Sequence, residues 1–330
     1  MGDFSIMTKK SGLFDIDFSS EEIEIIPQQP KVKVNDSKSI EDALIIILQQ
    51  MQTSGYRERT MKDYETIVHN FQGATYVKYL EDIKTETIYR WLELMEVTNQ
   101  TKLTRLKALK SFLSKCFNNG WYKSKFWQSI NIKVDKKVKK GAKPNDIQVL
   151  LSLIDTSTFI GLRDVAAILT MYKTGIRINT LGQLEERHID FENKLLVLDG
   201  SILKNHQVLK LPIDEQLIRL YKVLIKQNHK IREHYIQSNT NIFVSYKGTP
   251  LMSKSTNNAI SKQLTKYSKK YGLENINAHA IRRAYAKNLL NKGASVALIS
   301  KALGHSDLAV TTQYLDLDVE EVATTLREYI

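Results

Sequence analysis

The sequence predicts a mainly helical protein with a small β-sheet, arranged as two domains. Three observations carry that expectation. The 330 residues amount to about two domains at roughly 150 residues each. From Lys38 to Ile132 the apolar residues recur at helical spacing. Beyond a lysine-rich stretch, helical patterns alternate with one β segment, in which "KLLVLDG" and "VLKLP" read as the two strands of a hairpin.

The elements follow in order. Residues 1–37 read as a flexible acidic tail: up to Asp36 there are four Lys against seven acids, and Pro27 and Pro30 interrupt any regular element. Within it "EIEII" is a candidate partner-binding segment. Residues 38–132 read as a helical domain. "SIEDALIIILQQMQ" opens on Ser39 as N-cap with Asp42 three residues on, and "TMKDYETIVHNF" repeats the device with Thr60 and Asp63. "TKLTRLKALKSFLSKCF" sets Leu103, Leu106, Leu109 and Phe112 on one stripe and leaves Lys102, Arg105 and Lys110 off it. Such a basic face suits a helix lying on phosphates, and equally suits solvent.

Residues 133–145 read as an open basic linker. Asn131 to Lys143 holds six Lys against one Asp, and like charges extend a chain. Lys136, Lys137, Lys139 and Lys140 are its candidate DNA contacts. Residues 146–330 form the mixed second domain. Pro144 starts a helix at "PNDIQVLLSLI", a later helix stops at Gly175, "NIFVS" is a candidate third strand, and helices return from Ser255 to the end. In 318–330, Val319, Val322, Ala323, Leu326 and Ile330 share one helical face, while Asp318, Glu320, Glu321 and Glu328 outweigh Arg327.

Composition narrows the partners. A net charge of +12 points to a polyanion, with nucleic acid leading and simple solubility the bland alternative. The single cysteine, Cys116, excludes an internal disulfide and fits a reducing compartment; its apolar surroundings predict a buried small hydrophobe. One Cys and seven scattered His assemble no structural zinc cluster, and no acidic cluster offers magnesium ligands, so no cofactor is expected. The longest apolar run, "ALIIIL", is far too short for a membrane span, and Asp3, Lys9 and Lys10 break any signal-peptide core. The expectation is a soluble cytoplasmic protein.

Four stretches of the second domain carry chemistry. "KTGIRINTLGQL" presents Arg177 after a helix stop. Lys204 lies near the hairpin turn. "NAHAIRRAYA" puts His279 and Arg282 on one helical face. "LGHSDLAVTTQYLD" places His305 nine residues before Tyr314. Taken singly each has an ordinary reading: a capped helix with a surface Arg, a solvated Lys, a half-buried His beside a charge, a turn between two helices. Together they are two Arg, one Lys, two His and a phenol. That set suits attack on a phosphodiester, because guanidinium groups stay charged and grip the non-bridging oxygens on which negative charge develops. A tyrosine hydroxyl, with an ordinary pKa of ~10, needs such help to act as a nucleophile.

These stretches resemble the tyrosine recombinase (phage integrase) family. "TGIRINTL" is similar to its first arginine box, and "LKNHQVLKLP" to its hairpin lysine segment. "HAIRRAYAKNLLNKGASVALISKALGHSDLAVTTQYLD" is similar to its second box. The likeness runs from Pro144 to Tyr314; the helical domain resembles the family's core-binding domain more weakly.

The resemblance implies a two-domain clamp on double-stranded DNA and catalysis without metal. Tyr314 would be the nucleophile forming a 3′-phosphotyrosyl link. Arg177, Arg282 and His305 would hold the scissile phosphate, Lys204 would protonate the departing 5′ oxygen, and His279 would take the tyrosine's proton. It further implies a homotetramer on two DNA sites, with the 318–330 helix docking in trans. Several biological settings use such chemistry: integration or excision of a mobile element, which leads, DNA inversion, and chromosome-dimer resolution. The short acidic tail argues against an additional arm-binding domain.

Two positions depart from the family pattern. Thr180 stands where an acid is usual, with Glu185 and Glu186 as candidate substitutes, and Arg283 stands where a His is usual. A type IB topoisomerase-like enzyme remains an alternative. So does a non-catalytic regulator, since "ISKALGHSDLAVTTQYL" mimics a helix-turn-helix.

Overall fold

The architecture is described from a computed structural model covering residues 37–135, 139–203, 207–251, 259–305 and 307–315, with backbone only for 313 and 314. The acidic tail up to Asp36, Lys136, Lys137, Lys204 and the 318–330 segment lie outside the described residues. The chain divides into two compact units between Asp135 and Lys136.

Among its described residues the first unit holds four α-helices: α1 (Ile40–Thr53), α2 (Glu58–Thr75), α3 (Thr85–Glu93) and α4 (Asn99–Asn118). Ser39 caps α1 as expected, its Oγ accepting from Asp42 N at 3.0 Å. The expected cap at Thr60 is not formed. Helix α2 starts earlier, at Glu58 behind Arg57, because Thr60 N donates to Arg57 O at 2.8 Å and already belongs to the first turn. The α4 stripe is buried at Leu106, Leu109, Phe112, Leu113 and Cys116, whereas Leu103 is only partly covered. Burial pushes the Cys116 thiol up to about 12, which suits packing rather than reactivity. Phe71 meets Trp91 edge-on at 5.4 Å, and Tyr122, Phe126 and Trp127 pack edge-on against one another in the same core.

The second unit is built on α6 (Phe159–Thr174), which is buried along most of its length. Around it stand α5 (Pro144–Leu153), α7 (Ile178–Gly182), α8 (Glu215–Tyr235), α9 (Ala259–Tyr271), α10 (Ala278–Asn291), α11 (Val296–Ala302) and α12 (Leu308–Leu315). The expected hairpin is present: β2 (Leu195–Leu198) pairs antiparallel with β3 (Leu209–Pro212), Val197 opposite Lys210. The third strand is not "NIFVS". It is β1 (Ile189–Asp190), which pairs with β2 to give the order β1-β2-β3. Ile242, Phe243 and Val244 are fully buried but make only isolated bridges, so their apolar run reflects burial in the core rather than a place in the sheet. A buried ion pair pins that segment. Arg163 bonds Asp164 at 2.7 Å and donates to Val244 O at 3.1 Å, while Tyr267 Oη donates to the other Asp164 oxygen at 2.8 Å.

The end of the basic stretch is not open along its length. Asn275 Nδ2 donates to Lys140 O at 2.9 Å and to Gly141 O at 3.0 Å, and Ala142 N donates to Ala280 O at 2.9 Å. Asparagine satisfies the carbonyls that the lysine repeat leaves bare. Among the described residues no helix is long and apolar enough to cross a membrane.

Candidate active site

The site forms where the ends of α6, α10 and α11 meet. Gly175 terminates α6 with φ +65°, its N–H bonded to Met171 O. A Cβ on Gly175 would stand 2.3 Å from Tyr285 Cδ1, so no side chain fits. That absence lets α6 end against α10, and the Gly175 carbonyl accepts from Nη1 of Arg282. Two residues on, Arg177 precedes α7 in extended backbone, and its Nη1 reaches Leu303 O at 3.4 Å and Gly304 O at 3.5 Å.

Arg282 is 2% exposed, and its Nη2 donates to Leu303 O at 2.5 Å. Both guanidinium groups therefore share the C-terminal end of α11. Its last carbonyls lack helical partners, and the helix dipole favours cations there. A buried and a half-buried cation so close repel one another. The position favours an anion that can accept from both.

His305 joins them. Nη2 of Arg282 lies 3.1 Å from His305 Nε2. Arginine has no acceptor, so Nε2 accepts and Nδ1 carries the proton. Nδ1 in turn donates to Thr311 Oγ1 at 2.9 Å. Thr311 is fully buried on α12, three residues before Tyr314, and Leu315 anchors the same helix in a small core with Tyr285, Ala286, Ile299 and Leu303. Partial burial, then the Arg282 and Arg177 charges, lowers the His305 pKa to about 4. His279, in the first turn of α10, is also lowered, first by partial burial and then by Arg283, Arg282, Lys139 and Arg177. Both rings are neutral near pH 7, and a neutral His279 can accept a proton.

The hairpin connection that leads to Lys204 is held at both ends of its described part. Asp199 faces His188 Nε2 at 3.2 Å and Arg187 Nη1 at 3.1 Å, and it accepts from Ser201 N at 2.9 Å. Those donors keep its carboxyl far below the usual range, the Ser201 hydroxyl most of all. Thr180 is buried on α7, and its Oγ1 donates to Ile202 O at 3.2 Å. Glu185 and Glu186 serve other cations: Glu185 pairs with Arg187 at 2.7 Å and Glu186 with Arg232 at 2.8 Å.

The structure thus brings Arg177 and Arg282 onto the Leu303 carbonyl, joins His305 to Arg282, sets His279 within their field, and ties His305 to the helix of Tyr314. Lys204 and the Tyr314 side chain lie outside the description. Of the candidate DNA contacts, Lys139 and Lys140 are exposed, and Lys102 and Arg105 are partly exposed. Lys110 donates to Gln128 O at 3.1 Å within its own unit, and burial lowers its pKa. Sequence reasoning missed Thr311, whose only signal was its place on the tyrosine's helix. It also missed what Thr180 holds. Among the described residues no group of three or more His, Cys, Asp or Glu is placed to hold a metal ion.

The model of the phage integrase family matches residues 142–321. A tyrosine recombinase XerC of Chlamydia caviae is 28% identical over 234 residues, covering 69% of this chain and 72% of the relative. A tyrosine recombinase XerD of Listeria monocytogenes is 27% identical over 292 residues, covering 83% and 92%. In fold, the chain is similar to the Tn1549 transposon integrase in complex with a circular intermediate DNA, with a TM-score of 0.69 at 17% identity, covering 87% of this chain and 99% of that one. It is also similar to a lambda integrase dimer bound to a core site, with a TM-score of 0.64 at 19% identity, covering 85% and 78%. The chain belongs to the phage integrase family and is a tyrosine-type site-specific recombinase.

Proposed function

We propose that the protein cuts and rejoins double-stranded DNA at specific sites through a 3′-phosphotyrosyl intermediate, with Tyr314 as nucleophile. The observation that carries this reading is the convergence of Arg177 and Arg282 on Leu303 O, with His305 bonded to Arg282 on one side and to the tyrosine's helix on the other. The scissile phosphate takes its place beside the two guanidinium groups, which hold its non-bridging oxygens and offset the charge that grows there. His279 accepts the Tyr314 proton as the tyrosine oxygen–phosphorus bond forms. The bond from phosphorus to the 5′ oxygen breaks, and Lys204 supplies the proton that makes a 5′-hydroxyl. Attack by a 5′-hydroxyl from a second duplex reverses these steps and completes strand exchange.

Four copies on two DNA sites, coupled by residues 318–330 docking in trans, supply the second duplex. The apolar face of that segment and its acidic charge, in a chain otherwise strongly basic, support the docking. The setting is integration or excision of a mobile element, one of several, with DNA inversion and chromosome-dimer resolution, in which this chemistry is used.

A suicide substrate tests the chemistry. The wild type should form an adduct that survives denaturation, and Tyr314→Phe should form none while still binding DNA. Adduct on Tyr329, or adduct formed by Tyr314→Phe, would overturn the assignment.

A further inference from the structure

A cavity of about 610 Å³ opens beside the candidate active site, lined by Lys139, Lys140, Asn275, Asn277, His279 and Arg283. Three of these side chains are cationic and none is acidic. The cavity is built, not incidental. Asn275 adopts the left-handed region at φ 55°, uncommon for a residue with a side chain. From there its amide clasps the carbonyls of Lys140 and Gly141. Asn277 caps α10, accepting from Ala280 N at 3.0 Å, and its Nδ2 donates to Asn275 Oδ1 at 3.1 Å. Gly141 presses on α10 so closely that a Cβ would stand 3.1 Å from Ala284 N and 3.3 Å from the Arg283 carbonyl carbon. These contacts hold Lys139 and Lys140 against the first turn of α10, whose positive dipole end adds to their field.

We propose that this cavity holds a second backbone phosphate, the one next to the scissile phosphate on the cleaved strand, with Lys139, Lys140 and Arg283 as its ligands. This rests on the reading of the neighbouring site as the scissile-phosphate site. Two facts select a DNA phosphate at that position. His279 belongs both to the cavity wall and to the catalytic set, so the two sites adjoin. Phosphates of one strand recur every ~3.4 Å of helix axis, so an adjoining cationic site meets the next phosphate rather than a distant one. The Arg283 and Lys139 charges are already felt at His279, where they favour the neutral ring. A phosphate between them would temper that field. The cavity therefore links DNA grip to the proton acceptor of the reaction.

The test uses the full chain and half-site duplexes with one neutral methylphosphonate at each of the three phosphates on either side of the cleavage position. In the wild type, neutralising the neighbouring phosphate should weaken binding by about tenfold or more, the scale of a charge-assisted hydrogen bond. In Lys140→Gln/Arg283→Gln that position should cost no more than the others. The exposed pair Lys139→Gln/Lys140→Gln repeats the test without touching α10, and Lys140→Arg should keep the position-specific cost. Equal penalties in wild type and variants at every position overturn the proposal, as does coupling confined to a phosphate away from the cleavage site. Adduct formation by the wild type on unmodified suicide substrate reports the recombinase reading separately, so the two can fail independently.

Discussion

Thr311 Oγ1 stands 2.9 Å from Nδ1 of His305, and this contact decides what the histidine can do. In the free protein Nδ1 donates to Thr311 while Nε2 accepts from Arg282. A phosphate oxygen taking over the Arg282 donor would leave Nε2 facing an acceptor. The proton must then reside on Nε2, and Nδ1 must accept. A hydroxyl serves both states because it donates as readily as it accepts. Thr311 thus lets His305 exchange tautomers without moving, and it does so from the helix that carries Tyr314.

Replacing Thr311 by Val should therefore slow single-turnover cleavage by about fivefold, the scale of one neutral hydrogen bond, with little change in DNA affinity. Thr311→Ser should recover most of the rate. Equal rates for Val and Thr would show that the bond only packs the helix.

Lys204→Ala should slow cleavage strongly, and a substrate with a 5′-bridging sulfur, whose thiolate leaves without a proton, should restore much of it. Thr180→Val should give a milder loss, about tenfold, because Ile202 O loses its buried donor and the connection to Lys204 loosens. The same sulfur should restore Thr180→Val. Rescue of Lys204→Ala but not of Thr180→Val would show that the threonine serves something other than the acid. Wild-type cleavage should persist in EDTA.

The folded-state pKa of His305 lies near 4, below its ordinary 6.5. The unfolded chain therefore binds more protons between those values, and stability rises with pH across them. The contribution is complete above about 6.5 and is lost as pH falls towards 4. His305→Gln should flatten this part of the curve of melting temperature against pH, with His279 supplying part of the remaining slope. Parallel curves for the two proteins between pH 7 and 4 would contradict the assignment.

Removing residues 318–330 should leave single-site binding intact but abolish paired-site complexes on native gels. A truncated protein that still pairs sites would show that this segment serves its own unit.

Local chemistry made much of this protein legible in its sequence. The Ser39 cap, the Gly175 stop, the buried Cys116 stripe and the β2–β3 hairpin depend on residues a few positions apart, so spacing alone determined them. Arg177 and Arg282 stand out in the sequence because guanidinium groups suit a phosphodiester's charge, and His305 because it lies nine residues before Tyr314. Spacing misled where burial imitates a pattern, as at Ile242–Val244, or where a neighbour competes for a cap, as Arg57 does with Thr60. The convergence itself was decided by tertiary structure. Arg177 meets the Leu303 carbonyl across 126 residues of chain, and it does so because Gly175 leaves room for Tyr285. Nor does any short-range pattern show that Asn275 folds the lysine stretch onto α10, or that Thr180 holds Ile202. Those bonds join segments that only packing brings within reach.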